Sequence, residues 1–245
     1  KYLPILSELT DAEIAATAHS AGEPAWLVDR RIAAWRTFAE SAPPFWKRTN
    51  LAAFAADDIA APASAQGTVV QWDAGLEAQG VVFTTLAAAV RTNPALVERY
   101  LGTAVDANAH KFNALHAALW QDGVFLYVPK NVSIEIPLHA VFTLADGAQA
   151  TFPHNLIVLE DGASATFVEE YSAPDWPHQA LCNPATELFV GNGASLRFVT
   201  VQSWGTNFYH ISAQRARVGN NASLEWVAVN LGGQVQHVEA ETSLE

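Results

Sequence analysis

The decapeptide VGNGASLRFV at 190–199 returns as VGNNASLEWV at 218–227, and two related versions precede both: LEDGASATFV at 159–168 and a fainter LADGAQATFP at 144–153. The alanine after each turn falls at Ala148, Ala163, Ala194 and Ala222, giving spacings of 15, 31 and 28 residues. Self-similarity at this period marks a repeat architecture, in which no unit can complete a core alone and each must stack on its neighbours. Gly-Asn and Asp-Gly supply a corner that tolerates positive φ, and the small alanine lets the chain re-enter a strand in a crowded place.

The flanking segments alternate with a period of two. One face would carry Val132, Ile134, Ile136, Leu138, Ala140, Phe142 and Leu144. Another carries Ala194, Leu196, Phe198, Thr200, Gln202 and Trp204, and a third Ala222, Leu224, Trp226 and Ala228. Alternation of this kind argues half-buried strands. The expected fold is mainly β: a parallel β-helix of flattened two-strand coils, preceded by a small helical amino-terminal region. An antiparallel sandwich whose hairpins share turn residues is the competing reading.

The first part of the chain reads differently. Ser7 or Thr10 can open a helix, and Glu13 three residues after Thr10 completes a capping box. A second helix over 22–44 has Pro24 in its first turn and an apolar stripe of Trp26, Leu27, Ile32, Trp35 and Phe38, and Pro43-Pro44 ends it. The Ala-rich stretch 49–67 reads as a surface linker. We therefore divide the chain into residues 1–66, a helical region with linker, and 67–245, the β-helix core with short helices within 84–121.

Composition removes several function classes. The net charge of −12 is the wrong sign for nucleic acid or an anionic membrane, both of which need a basic footprint. No run of 18 apolar residues exists to span a bilayer, and the start lacks the basic-then-apolar order of a signal peptide. One cysteine, Cys182, leaves no internal disulfide. The absence of any Met, and an ending in strand-like sequence, lead us to expect a piece of a longer protein, with an uncapped last coil.

Motifs for chemistry are sparse. "GNGAS" lacks the Lys-Ser/Thr of a phosphate loop. His110 with His116, and His139 with His154, lack tight ligand spacing, so no metal site is expected. Glu169 and Glu170 are adjacent on a strand and point to opposite faces, which makes them poor catalytic partners; a solvated face is expected. Asp73, Glu135, Glu160, Asp161 and Glu169 are too scattered to pair. Cys182 reads as a small buried hydrophobe. Gln202 and Trp204 share the face of Leu196 and Phe198, so both should point into the coil, either as a mutually satisfied core pair or as part of a polar lining.

Several segments together resemble the SufB/SufD family of iron–sulfur cluster assembly scaffolds. In GEPAWLVDRRIAAW, Gly22, Glu23, Pro24, Trp26, Leu27, Arg31 and Ala34 match its amino-terminal signature. Phe112, Ala114, Leu115, Ala118, Asp122, Gly123, Val128, Pro129 and Pro137 match the entry to its core, and YSAP at 171–174, VQSW at 201–204 and LGG at 231–233 match further on. IEIPLH at 134–139 and LCNPATELFV at 181–190 resemble the SufD branch. SufB-like relatives carry Cys where this chain has Tyr171, and Lys where it has Gln214 before Arg215. The resemblance implies a right-handed parallel β-helix and a non-catalytic, cytoplasmic scaffold partnering a SufB-like paralogue and a SufC-like ATPase, with a homodimer also open. No cofactor or metal is expected on this stretch, and Gln202, Trp204 and Arg215 are the candidates for a polar core lining. Two other functions stay open: a β-helix carbohydrate-active enzyme and a purely structural β-solenoid.

Overall fold

The structure, a computed structural model, describes residues 9–54, 59, 68–70, 74–144 and 150–245. Its centre is a stack of parallel coils. Strands β4 (Leu138–Thr143), β7 (Ser164–Ser172), β10 (Ser195–Trp204) and β12 (Ser223–Gly232) form one sheet, with β1 (Thr68–Val70) antiparallel on the edge of β4. The second sheet holds β2 (Val82–Thr85), β3 (Val124–Val128), β5 (Ala150–Thr151), β6 (His154–Leu159), β8 (Ala180–Cys182), β9 (Ala185–Val190), β11 (Phe208–Val218) and β13 (Val235–Leu244). The chain alternates between the sheets, so each coil is one strand of the first and one line of the second.

The repeats are in register as their spacing predicts. Leu196 lies opposite Leu224 and Phe198 opposite Trp226, and on the other side Leu196 meets Ala165 and Phe198 meets Phe167. The corner explains the shared wording. Gly162 and Gly193 stand at φ 69° and 65°, and Asn221 at 55° fills the same role in the third copy. Asn is the non-glycine residue that tolerates this region best. Successive corners are tied together: Asp161 Oδ1 accepts from the Asn192 backbone N–H, and Asn192 Oδ1 from that of Asn220, each at 2.9 Å. The turn of the faint copy, residues 145–149 with Ala148, lies outside the described residues.

Prolines divide the second sheet. Pro153 separates β5 from β6 and Pro184 separates β8 from β9, because neither can donate a ladder hydrogen bond. Ser212 takes the next place in this column, and there β11 runs through unbroken. Strands β6 and β9 are buried along their whole length. Their inner face meets the coil core and their outer face meets helices, which is why HNLIVL and ATELFV show no alternation.

The helices form a layer on that outer face: α1 (Asp11–Ser20), α2 (Ala25–Glu40), α4 (Leu86–Thr92), α5 (Pro94–Tyr100) and α6 (Lys111–Leu119), with α3 (Ala74–Glu77) a single turn. Thr10 and Glu13 make the capping box of α1; Ser7 lies outside the described residues. The buried stripe of α2 is Leu27, Val28, Arg31, Ala34 and Trp35, with Trp26, Ile32 and Phe38 half-buried beside it. Arg31 is accommodated there because Glu23 takes its guanidinium in two 2.6 Å contacts.

Three expectations are corrected. The stretch 49–67 is not simply a surface linker, since Ile59 is 1% exposed and Phe54 packs on Phe112 and Tyr209; residues 55–58 and 60–67 lie outside the described part. An Ala-rich segment with isolated large apolar residues has no period to reveal such anchors. Ile136 does not share the buried face of Leu138, being 53% exposed. Residues 129–137 are irregular, with one bridge from Ser133 to Ser164, and Pro137 delays the strand until Leu138. Pro24 is the N-cap of α2 and not a residue of its first turn.

Candidate functional site

Within each coil, inward residues near the Gly-Asn corner are apolar: Leu196 and Phe198 on β10, Leu188 and Val190 on β9, Ala216 and Val218 on β11. Toward the opposite end they become polar, level by level. Glu169 stands beside Thr200, and Tyr171 beside Gln202. Across the coil, Asn155, Thr186 and Gln214 form one row, and Cys182 neighbours His210. This polar belt is the most distinctive chemical feature of the interior.

Its anchor is Glu169, 1% exposed. One oxygen accepts from Asn155 Nδ2 at 2.7 Å, Tyr171 Oη at 3.2 Å and Thr186 Oγ1 at 3.3 Å, and the other from Gln214 Nε2 at 3.4 Å. All four donors are neutral. Burial pushes the Glu169 pKa up to about 7, with the hydrogen bonds opposing. Burial also pushes the Tyr171 phenol and the Cys182 thiol well up, the Glu169 charge adding to both. It pulls His210 down to about 3. Every ionisable group of the belt is thus held toward its neutral form, and Glu169 alone titrates near neutrality.

Gln202 is fully buried and Trp204 is 5% exposed, both inside the coil. Trp204 stacks on Phe208 at 4.9 Å and on Tyr171 at 6.1 Å. The two do not satisfy one another: neither Gln202 amide atom nor Trp204 Nε1 meets a hydrogen-bond partner among the described residues, and the same holds for both His210 nitrogens and Ser212 Oγ. The result is an uncharged lining with donors and acceptors intermixed.

Arg215 is not part of it. Alternation along β11 sends Gln214 inward and Arg215 outward, where it binds the Glu239 carbonyl at 2.6 Å and lies 3.4 Å from the Glu241 carboxylate. The expectation for Glu169 is corrected as well. Glu170 is the partly exposed acid, 3.3 Å from His139, whereas Glu169 faces the core. The parity of SATFVEEYS, in which Ala165, Phe167, Glu169 and Tyr171 share a face, already places Glu169 inside. Of the other acids considered, Glu135 is exposed, Glu160 and Asp161 sit at the corner, and Asp73 lies outside the described residues.

Among the described residues, no three His, Cys, Asp or Glu side chains are grouped to hold a metal ion. No helix among them is long and apolar enough to cross a membrane.

The sequence profile described as SUF system FeS cluster assembly, SufBD core domain, matches residues 142–245, and that of the SufBD protein N-terminal region matches 68–140. An iron–sulfur cluster assembly SufBD family protein of Staphylococcus saprophyticus is 34% identical over 160 residues, covering 65% of this chain and 34% of its own length. Its counterpart in Staphylococcus haemolyticus gives the same values, and one in Staphylococcus aureus is 33% identical over the same span. The matched stretch is thus about a third of the length of these curated relatives. The chain belongs to the SufBD family.

Proposed function

We propose that this member of the SufBD family is a SufD-like scaffold subunit in iron–sulfur cluster assembly, working in the cytoplasm beside a SufB-like paralogue and a SufC-like ATPase. Its part is to hold and transmit geometry, with no bond-making step on its own side chains in this stretch. One observation carries the reading. The single thiol, Cys182, is fully buried and its pKa is pushed well up by desolvation and by Glu169. A thiol held neutral and away from solvent is a poor acceptor of sulfur, since the thiolate is the nucleophile. Tyr171 and Gln214, at the positions where SufB-like relatives carry Cys and Lys, support the same division of labour by placing neither a reactive thiol nor an ammonium there.

The test is reconstitution of the full-length protein with the paralogue and ATPase that co-purify from its host. Cys182→Ala should assemble cluster at the wild-type rate. Loss of assembly with an unchanged melting curve would overturn the proposal, as would co-purification without an ATPase.

A further inference from the structure

A second buried network lies on the outer face of β6 and β9, where the solenoid meets the helices. Four ring nitrogens stand in a row. His116 Nδ1 is 2.7 Å from the Asn183 carbonyl oxygen, His116 Nε2 is 2.9 Å from His154 Nδ1, and His154 Nε2 is 3.0 Å from Glu187 Oε2. His116 is 2% exposed, His154 4% and Glu187 0%.

The two ends of the row fix its protons. The Asn183 carbonyl can only accept, so His116 Nδ1 carries hydrogen. Glu187 also accepts the backbone N–H groups of Gly102, Ala104 and Val105, at 2.6, 2.7 and 2.9 Å. Burial alone would raise the pKa of Glu187, but the His154 contact and these backbone donors outweigh it and hold the carboxyl below its ordinary value. An ionised Glu187 is an acceptor too, so His154 Nε2 carries hydrogen. The central N···N contact needs one proton of its own. Three protons on two imidazoles make one positive charge, balanced by Glu187. The Glu187 carboxylate touches His154, whereas His116 meets only a carbonyl, so the positive charge lies nearest its counter-ion with the second proton on His154; burial separately pushes His116 well below the ordinary imidazole value.

The surrounding charges are accounted for. Arg31 of α2 is tied to Glu23 and its guanidinium lies 4.3 Å over the Trp120 ring. Arg30 donates to the Leu101 carbonyl, and Arg217 of β11 to that of Thr103. Asp106, Arg30, His116 and His154 border a cavity of about 350 Å³ between the layers.

We propose that His116, His154 and Glu187 form a single-proton clasp that fastens α6 and the 101–105 turn to the solenoid. With one shared proton the row is complete. A further proton on His116 points two N–H groups at each other, and loss of the shared proton sets two lone pairs face to face at 2.9 Å. Either change breaks the link between layers, so closure has an optimum in pH and falls on both sides of it.

Nitrogen-15 NMR of the full-length protein at pH 7 tests this directly. The expected spectrum has one neutral imidazole, protonated on Nδ1, and one imidazolium at these positions; two neutral or two cationic rings would overturn the clasp. Amide exchange gives a second readout. In His154→Leu, protection at Gly102, Ala104 and Val105 should fall about tenfold or more while β10 amides keep theirs, as expected for a local opening. Unchanged protection at those three amides would also overturn it.

Discussion

Glu169→Gln gives a stability change whose sign depends on pH. In the folded chain the carboxyl titrates at about 7 against an ordinary 4.5. A raised carboxyl pKa means that the folded state keeps a proton the unfolded chain has already lost. The resulting penalty is absent below 4.5, grows between 4.5 and 7, and is constant above 7. The cost is about 1.4 kcal/mol for each pH unit between those two values, so the full penalty at pH 8 is about 3 kcal/mol. Glutamine removes it and introduces two amide hydrogens. Its carbonyl oxygen can keep the place of the oxygen that accepts from Asn155, Tyr171 and Thr186, but its NH2 then faces the Gln214 Nε2 donor, and that bond is lost. One hydrogen bond lost costs about 1 kcal/mol. The variant should therefore be more stable than wild type by about 2 kcal/mol at pH 8 and close to neutral at pH 5, where most of the penalty has not yet developed. Urea unfolding of both proteins at the two pH values measures the difference. A stability change that is the same at pH 5 and pH 8 would refute the picture of a buried, unpaired carboxylate, and so would a variant destabilised more at pH 8.

Four further substitutions probe other parts of the molecule. Trp204→Ala should lower stability by about 3–5 kcal/mol, the range for large-to-small changes in a packed core, and thermal unfolding will show it; Gln202→Leu, whose amide meets no partner among the described residues, should leave the melting curve unchanged or raise it. Asn192→Ala removes the acceptor for the Asn220 N–H and should cost about 1 kcal/mol, with faster amide exchange at Asn220 than at the strand residues beside it. Arg31→Ala leaves the nearly buried Glu23 carboxylate without its guanidinium and should cost about 3–5 kcal/mol, visible as a lower denaturation midpoint.

The solenoid was legible because its information is local and repeated. A coil corner demands positive φ, and the choice of Gly or Asn there is written into the decapeptide three times, at Gly162, Gly193 and Asn221. The strand after it alternates, because one face of β10 is inside and the other outside. Legibility fails where both faces are covered. In β6 and β9 every residue is buried, so the two-residue period vanishes and nothing local separates the coil-facing Thr186 from the helix-facing Glu187. The packing of Phe54 and Ile59 was hidden for a related reason: contacts made by single side chains against a distant surface leave no period to read.

The polar belt was hidden by register, not by composition. Gln202 and Trp204 were placed inside because they continue the face of Leu196 and Phe198. The same parity holds for Glu169 and Tyr171 on β7, but the adjacent acid Glu170 masks it in the sequence. The partners that matter to Glu169 are Asn155, Thr186 and Gln214, at sequence separations of 14, 17 and 45. Stacking alone brings them to one level. Once the 31- and 28-residue offsets are applied to every strand, polar residues on adjacent coils fall into rows, whereas a random scatter of buried polar groups would leave each one costly and unmatched. At the Glu169 level the carboxylate, Asn155, Thr186 and Gln214 are joined by hydrogen bonds. The adjoining level of Gln202, Trp204 and His210 is not matched by the described residues, although its groups are equally buried. The two levels therefore differ: at the first a hydrogen-bonded carboxylate ties the coils together, and the second holds hydrogen-bonding capacity that the described residues leave unused.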